Sequence, residues 1–331
     1  MTIPRSLLTV VLAATFFSAA HAEDVLQIGG FNRDAVSFVA EHKGFLQQEG
    51  IRMEYTHVRA SVELMRNLVS GKFDLIQNTA DNVIAWAEGQ GADPQKNDFI
   101  IFSGGRKSVT LQLVGAPSIT RITDFKTEVL AVDAVNTGYA PVLVYMLKKH
   151  SLSLGHDYTL KPFGGGGARL EALLKGEAAG GFVTFDKNLE SKGFRLLAES
   201  QDYLPNYADG IGATRRDWAA QNEELLVRYI RALVRSTAWL LDPKNKAEAI
   251  QIFRAGLDDS DVRARQLYDE SLDPKVGVIP RAKLDRKGIQ TILELRALMG
   301  EMKPPLPSPD KYIDERYYNK AIATLAAGSK K

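Results

Sequence analysis

Two stretches of the chain repeat one pattern of apolar and polar positions. Leucines at helical spacing in residues 64–69 precede Gly71, a charged residue and a short apolar strand that ends in polar residues. Residues 170–186 repeat this order, with Gly176 in place of Gly71. The leucines predict a helix packed on a sheet, and the glycine predicts a left-handed helix stop. Two copies about 100 residues apart are too widely spaced for a solenoid and favour two similar α/β lobes.

Short apolar runs between turn signals predict a series of strands with helices between them. Besides the strand of the second repeat copy, the predicted strands cover residues 25–28, 51–58, 74–77, 98–102, 109–114, 129–132, 158–163, 194–197 and 209–213. From Asp217 onward the pattern predicts a helical C-terminal region. We expect crossings between lobes near 105–109 and 203–206. Residues 23–106 and 207–331 would then form the first lobe, and residues 107–206 the second.

The N-terminus carries the features of an export signal. Arg5 precedes an apolar run over residues 7–17, and Ala20-His21-Ala22 supplies small residues at the two recognition positions of a signal peptidase. The run is too short for a membrane span, which needs about 20 apolar residues. The pattern predicts a signal peptide over residues 1–22, cleaved after Ala22. No cysteine follows the run, which argues against a lipid anchor and for a mature protein free in the periplasm.

Composition narrows the class of protein further. The 331 residues suggest roughly two domains, and 45% hydrophobic with 25% charged residues is ordinary for a globular protein. Removing Arg5 with the leader lowers the formal net charge from +2 to +1, which argues against nucleic acid as a partner. The chain has no cysteine, so it has no disulfide framework and no thiolate nucleophile or metal ligand.

Motifs for nucleotide, metal or hydrolytic chemistry are missing from the sequence. The glycine run 164–167 lacks the Gly-Lys-Ser/Thr ending of a phosphate loop, and the other glycine pairs fail the dinucleotide spacing. Histidines never occur at the i,i+4 spacing of a helical metal pair, and no Gly-x-Ser-x-Gly elbow occurs. We therefore expect no cofactor, no metal and no catalytic site.

Polar residues at predicted strand ends are the candidates for a ligand site. Ligands of open parallel sheets bind outside the carboxyl ends of the strands, where helix N-termini favour anionic groups. For any one residue a turn or helix cap is the simpler interpretation, but the set as a whole favours a cleft. Arg33 and also Arg106 could clamp a carboxylate or sulfonate, or be solvated loop arginines. The predicted ligand residues are Phe31, Asn32, Arg33, Asn78, Thr79, Ser103, Gly104, Asn136, Thr137, Gly138, Gly165, Gly166 and Phe185.

Several segments together resemble a known family. They are the signal peptide, Val25–Gly30, His42-Lys-Gly44-Phe45 with Glu49-Gly50-Ile51, Leu68–Asp74, Asn136-Thr137-Gly138 and Leu173-Leu-Lys-Gly176-Glu. This order resembles the periplasmic substrate-binding proteins of ABC importers for nitrate, sulfonates, taurine and the thiamine-precursor pyrimidine. The resemblance covers the mature chain to about residue 240. Two departures are Ala179, where the family commonly has Asp, and the glycine-rich run 164–167.

The resemblance implies an α/β, two-lobed periplasmic binding protein fold, type II-like, with two inter-lobe crossings and the ligand between the lobes. It implies a monomer that delivers a small molecule to an ABC permease in the inner membrane. The predicted ligand is a small anionic organic solute of the sulfonate or carboxylate type. Alternatives are an aminopyrimidine bound with Asp81 and Asp186, or a ligand-sensing module. An enzyme of pyrimidine synthesis is disfavoured by the leader and the absence of a cysteine motif.

Overall fold

The structure, a computed structural model, describes residues 23–257 and 260–328. The predicted signal peptide lies outside these residues. Ten strands are present in the described part of the chain. They are β1 (Asp24–Gly30), β2 (Ile51–His57), β3 (Leu75–Asn78), β4 (Phe99–Ser103), β5 (Gln112–Gly115), β6 (Glu128–Val132), β7 (Tyr158–Pro162), β8 (Gly180–Phe182), β9 (Arg195–Glu199) and β10 (Ile211–Arg215).

Twelve α-helices lie between or after these strands in the same residues. They are α1 (Ala35–His42), α2 (Ser61–Val69), α3 (Ala80–Ala87), α4 (Ala140–Lys149), α5 (Gly166–Leu174), α6 (Lys187–Ser191), α7 (Arg216–Gln221), α8 (Glu223–Leu240), α9 (Lys246–Gly256), α10 (Asp261–Leu272), α11 (Arg286–Leu298) and α12 (Glu315–Gly328). The helical C-terminal region is confirmed, and its first two helices, α7 and α8, are separated at Asn222. None of the described helices has the length and apolar character that a membrane span requires.

The strands form two five-stranded sheets of matching topology. The first sheet has the order β2-β1-β3-β10-β4 and the second the order β7-β6-β8-β5-β9. We call each sheet with the helices packed on it the first and the second lobe. The two repeated units supply β3 and β8, which are the central strands of different sheets. The prediction of an α/β, two-lobed fold is therefore confirmed.

Both sheets are mixed, with parallel and antiparallel pairs of strands. In the first sheet β1 pairs parallel with β2 and β3, whereas β10 is antiparallel to both β3 and β4. In the second sheet β5 is antiparallel to β8 and β9. Both exceptions are the first strand after a change of sheet. After each change of sheet, the chain enters the new sheet at the end where the neighbouring strands finish. No crossover helix first returns it to the other end, so the entering strand runs antiparallel to its neighbours.

Apolar side chains on both faces of the first sheet hold its helices. Leu26 and Ile28 on β1 are fully buried among residues of α1 and α8, and Leu64 and Leu68 of α2 are fully buried on the opposite face. Each such side chain contributes about 1.5–3 kcal/mol relative to an exposed one. Helix α2 is followed by Gly71 with a φ of +79°, a left-handed conformation that glycine adopts without steric cost.

The three arginines Arg228, Arg231 and Arg235 on α8 form ion pairs within the first lobe. Arg231 and Arg235 both pair with the buried carboxylate of Glu49, at 3.0 Å in the case of Arg235. Arg228 pairs with Asp24 at the start of β1. The charges therefore attach α8 to the start of β1 and to the turn before β2 in its own lobe.

Helix α11 packs against α3 of the first lobe and α4 of the second, and one apolar cluster continues through it. Its Arg296 is 0% exposed. Arg296 Nη1 donates to Asp81 Oδ1 at 3.0 Å and to the carbonyl of Asn136 at 3.2 Å, while Nη2 donates to Gln90 Oε1 at 2.6 Å. Burial still raises the pKa of Asp81, although Arg296 opposes the shift. This buried arginine joins both lobes on the side of α11.

We expect Arg296→Met to lower the free energy of unfolding by about 3–5 kcal/mol, because it leaves the Asp81 carboxylate buried without a cation. Urea denaturation of the mature chain measures this change. Adding Asp81→Leu should restore much of the loss, since both charges are then removed. Arg66→Met is the matched control: its partner Asp93 is exposed, and little change is expected. Equal effects of the two single substitutions would contradict the assigned role of Arg296.

Candidate functional site

A cavity of about 860 Å³ includes the cleft between the lobes, at the carboxyl ends of strands from both sheets. Residues after β1, β3 and β4 line it from the first lobe, and residues after β6, β7 and β8 line it from the second. The lining residues between the lobes are Phe31, Asn32, Arg33, Asp34, Tyr55, His57, Gln77, Asn78, Thr79, Asn82, Ser103, Gly104, Gly105, Arg106, Asp133, Gly138, Tyr139, Gly165, Gly166, Arg169, Thr184, Asp209, Gly210 and Gly212.

Amide side chains after β3 form part of the first-lobe wall. Asn78 Oδ1 accepts hydrogen bonds from the Thr79 backbone at 2.8 Å and from Asn82 Nδ2 at 3.0 Å. The buried oxygens Asn82 Oδ1 and Gln77 Oε1 have no hydrogen-bond partner among the described residues. Buried acceptors without a partner cost free energy, so a ligand or water that donates to them would be favoured here.

Asp209 is the centre of a charged network at the crossing between the lobes. It is 4% exposed, its Oδ2 accepts from Arg106 Nη2 at 2.7 Å, and its Oδ1 accepts from the Tyr139 hydroxyl at 2.7 Å. Burial would lower the pKa of Arg106, but the charge of Asp209 raises it overall. Burial and then Asp209 raise the pKa of Tyr139. Arg106 stays charged, and Asp209 already neutralises it.

A second carboxyl, Asp34, caps helix α1 beside the cleft. Its Oδ1 accepts from the Ser37 backbone at 2.7 Å, and burial raises the pKa of the carboxyl. The hydroxyl of Tyr55 lies close by and has no partner in the described chain, and burial raises its pKa as well. The neutral hydroxyl of Tyr55 would donate to an acceptor-rich ligand at this end of the cleft.

Among the three arginines that line the gap between the lobes, Arg169 is the one that no carboxylate pairs with in the described chain. Its Nε donates to the Phe182 carbonyl at 2.9 Å, and its Nη1 donates to the Gly164 carbonyl at 2.8 Å. Burial lowers its pKa, and the more distant charge of Asp133 opposes that shift. A Cβ placed on Gly166 would lie 3.8 Å from Nη2, so this nitrogen faces the start of α5. The cleft thus has a cation available for an anion.

Helix α5 begins at the same place without a side-chain cap. Gly165 is its N-cap, and no side chain bonds to the first backbone N–H groups. These groups and the positive end of the helix dipole favour a bound anion. Together with Nη2 of Arg169 they form an electropositive pocket in the second-lobe wall.

The lobes touch along one rim of the cleft. The Gly165 backbone donates to the Arg59 carbonyl at 2.9 Å, and the Ser61 backbone lies 3.3 Å from Asp133 Oδ2. On the opposite side, the Tyr207 hydroxyl donates to the Gly138 carbonyl at 2.7 Å. The described arrangement is a closed one, in which both lobes reach the same cavity.

Ten of the thirteen predicted ligand residues line this cleft, and three do not. Asn136 donates to the Gln90 carbonyl at 2.8 Å, Thr137 is buried, and Phe185 packs in a small apolar cluster of the second lobe. They follow strand ends but turn away from the gap. Arg33, one of the two proposed clamps, pairs with Glu41 at 2.6 Å, as Arg106 does with Asp209.

Sequence reasoning missed Arg169, Asp209 and Asp34 as cleft residues. Arg169 lies two positions after the glycine run 164–167. In a helix that starts at the run, its side chain can reach back toward the run, and this spacing was the available signal. Asp81 and Asp186, proposed for an aminopyrimidine, are otherwise engaged: Asp81 pairs with Arg296, and Asp186 caps α6. Thr79, rather than Asp81, is the N-cap of α3.

A sequence model of the family described as NMT1/THI5 like matches residues 34–247. This span is well over half of the chain. The chain belongs to the NMT1/THI5-like family. Comparison with curated protein sequences finds no match.

The fold of this NMT1/THI5-like chain is similar to those of solved binding proteins. The alkanesulfonate-binding protein SsuA from Xanthomonas axonopodis pv. citri, bound to MOPS, has a TM-score of 0.66 at 18% identity, over 88% of this chain and 99% of that one. The periplasmic nitrate-binding protein NrtA from Synechocystis PCC 6803 has a TM-score of 0.71 at 13% identity, over 92% and 89%. At these identities the likeness concerns the fold.

The same fold also occurs in a cysteine-to-serine variant of DszB, solved in complex with biphenyl-2-sulfinic acid. Its TM-score is 0.62 at 15% identity, over 91% of this chain and 99% of that one. In residues 23–257 and 260–328 of the NMT1/THI5-like chain, no group of three or more His, Asp or Glu side chains is arranged to hold a metal ion.

We expect Gly165→Ala to oppose closure, because its Cβ would lie 2.8 Å from the Arg59 carbonyl oxygen. Kd for the tightest-binding sulfonate or carboxylate should rise by up to about tenfold, or about 1.4 kcal/mol. Calorimetry measures Kd, and small-angle scattering should give a larger radius of gyration for the ligand-saturated variant. Gly167→Ala is the control, since its Cβ would meet no atom within 4 Å. Unchanged scattering and Kd in Gly165→Ala would show that this rim contact does not matter.

Proposed function

We propose that this chain is the periplasmic solute-binding component of an ABC importer and captures a small anionic organic solute, of sulfonate or carboxylate type, between its lobes. The observation that carries the proposal is the electropositive pocket made by Arg169 and the uncapped start of α5 inside a cleft lined by both lobes. Arginine and helix N-termini both bind oxyanions through parallel N–H donors.

The size and lining of the cleft favour an organic body over a bare inorganic ion. A volume of about 860 Å³ is in the range of roughly 300–1,000 Å³ that holds drug-sized ligands. Phe31 and Tyr139 offer aromatic surface next to the polar groups. A nitrate ion would fill only a small part of this space.

Binding would act by shifting a population toward the closed form. A ligand that contacts both lobes gains the second set of contacts only on closure, so it favours closure by that difference in free energy. The proposed rigid bodies are residues 23–106 with 207–331 and residues 107–206. The closed monomer would then be presented to the permease. A ligand-sensing role would use the same closure, and uptake by membranes carrying the permease separates the two.

The absence of chemistry on the solute is part of the proposal. The buried carboxylate of Asp209 is engaged in structural pairs with Arg106 and Tyr139. The aminopyrimidine alternative loses the two carboxylates first proposed for it, since neither Asp81 nor Asp186 lines the cleft. Asp34 and Asp133 do line it, so an aminopyrimidine belongs in the ligand screen as a competitor.

Export predicts a defined mature N-terminus. When the full chain is produced in a Gram-negative host, we expect the periplasmic fraction to contain protein that begins at Glu23, because Ala20 and Ala22 are small residues at the recognition positions. Intact-mass spectrometry of that fraction measures the cleavage. Replacing Ala20 and Ala22 by Leu should leave the leader attached. An uncleaved wild-type chain confined to the cytoplasm would contradict the proposed localisation.

Arg169→Gln should weaken binding of the best sulfonate or carboxylate about 10- to 150-fold, since a hydrogen bond to a charged group contributes about 1.5–3 kcal/mol. Arg169→Lys should retain part of the affinity, because it keeps the charge but not the fork of donors. Calorimetry gives Kd, and mass spectrometry should recover the solute chemically unchanged.

Arg195→Gln is the matched control, because Arg195 donates to the Pro117 carbonyl at 2.8 Å on the exterior of the same lobe. Thermal melting of the unliganded variants checks that the loss of two carbonyl contacts has not unfolded the 164–169 segment. An Arg169→Gln protein that melts normally and binds as tightly as wild type would remove Arg169 from the anion site. Failure of every sulfonate and carboxylate to bind the wild-type chain would overturn the proposed ligand class.

A further inference from the structure

The cavity does not end at the gap between the lobes. It continues into the first lobe, between α1, α8 and the C-terminal helices α9 and α10. The residues that line this extension are Ala35, Val36, Phe38, Tyr229, Leu233, Thr237, Gly256, Leu257, Arg263, Gln266, Leu267, Glu270, Ser271, Val278 and Ala282. We call this part of the cavity the side compartment.

The side compartment is apolar inside and polar at its rim. Val36 and Phe38 come from α1, Leu233 from α8, and Leu257 and Leu267 from the segment that covers them. Phe38 is 3% exposed and Leu233 is buried, whereas the rim residues Arg263, Gln266 and Glu270 are exposed. An apolar interior with a polar rim suits a portion of a ligand that is hydrophobic along its length.

Thr237, which α8 contributes to the lining together with Tyr229 and Leu233, has its hydroxyl already satisfied. It donates to the Val234 carbonyl at 2.9 Å within the helix. The side compartment therefore presents little unmet hydrogen-bonding capacity apart from its rim. Void space lined by apolar atoms lacks partner atoms for dispersion contacts, and an apolar group that enters it gains those contacts.

The outer wall of the side compartment lies beyond the part of the chain that defines its family. The family match ends at residue 247, whereas Leu257, α10 and Val278 come later. The same wall is tied to the inter-lobe crossing, because Lys107 donates its backbone N–H to the Gly277 carbonyl at 3.0 Å. Glu270 on α10 acts electrostatically on Arg106 in the cleft. The side compartment and the anion pocket thus belong to one continuous site.

We infer that the side compartment receives the hydrophobic body of a ligand whose anionic head lies at Arg169, and that Leu257 and Leu267 set the length and bulk accepted. This inference rests on the proposed function and adds to it the shape of the ligand and the residues that select it. The preferred ligand is an amphipathic organic anion with an extended apolar part, rather than a short sulfonate or carboxylate.

The test uses the mature chain, residues 23–331, and a series of n-alkanesulfonates from methanesulfonate to octanesulfonate, below the concentrations at which they form micelles. Kd from calorimetry should fall about three- to fourfold for each methylene that is buried, and level off when the side compartment is full. Octyltrimethylammonium, with the same tail and the opposite head charge, should bind at least 100-fold more weakly than octanesulfonate.

Two variants assign the effect to the side compartment. Leu267→Asn should flatten the dependence on chain length while Kd for methanesulfonate stays within twofold of wild type. Leu267→Trp, which fills the space without adding polarity, should do the same and guards against a variant that simply unfolds. Leu272→Asn is the matched control, because Leu272 is also a half-buried leucine of α10 but does not line the cavity. Leu272→Asn should keep the wild-type dependence of Kd on the length of the alkyl chain.

The outcomes separate this inference from the function on which it rests. If Kd of the wild type does not change with chain length while methanesulfonate binds at Arg169, the inferred role of the side compartment is wrong. The proposed function would still stand. A chain-length effect that survives both Leu267 substitutions would also overturn it. If no member of the series binds, the ligand has no sulfonate head bound at Arg169. The inference would then fail together with the proposed ligand class.

Discussion

The buried guanidinium of Arg296 is the constraint on which the arrangement of the two lobes depends. A charge with no exposure to water is tolerated only with close partners, and here those partners come from three places: Asp81 in α3, Gln90 after α3, and the Asn136 backbone of the second lobe. Because these groups lose their cation if α11 moves away, the helix holds the lobes together on one side. The lobes also touch where the Gly165 backbone donates to the Arg59 carbonyl.

The ion pairs within the protein determine which charged groups remain free for a ligand. Arg33 and Arg106 are paired with Glu41 and Asp209, and Asp81 is paired with Arg296, so these groups serve the structure. Arg169 bonds only to carbonyl oxygens and lies where α5 begins without a cap. An exposed ion pair contributes little to stability, but an arginine without a carboxylate in a cleft is a ready site for an anion.

The local pattern of apolar and polar positions was sufficient to predict the two-lobed α/β architecture. The leucine–glycine–strand unit at Gly71 and at Gly176 depends on short-range physics, helix amphipathicity and the left-handed stop, and both copies are found at the centres of separate sheets. Pairing direction was not predictable, because whether β5 and β10 run antiparallel depends on where the chain enters a sheet.

By itself the sequence determined the two α/β lobes, the helical C-terminal region and most of the strand ends that line the cleft, because periodicity and turn residues act over a few positions. Only the tertiary structure decided which charges are neutralised. Glu49 lies about 180 positions from Arg231, and Asp81 is more than 200 from Arg296. It also decided that α10 closes a side compartment against α1. Partners so distant in the chain meet only when the whole fold brings them together, so no local pattern records them.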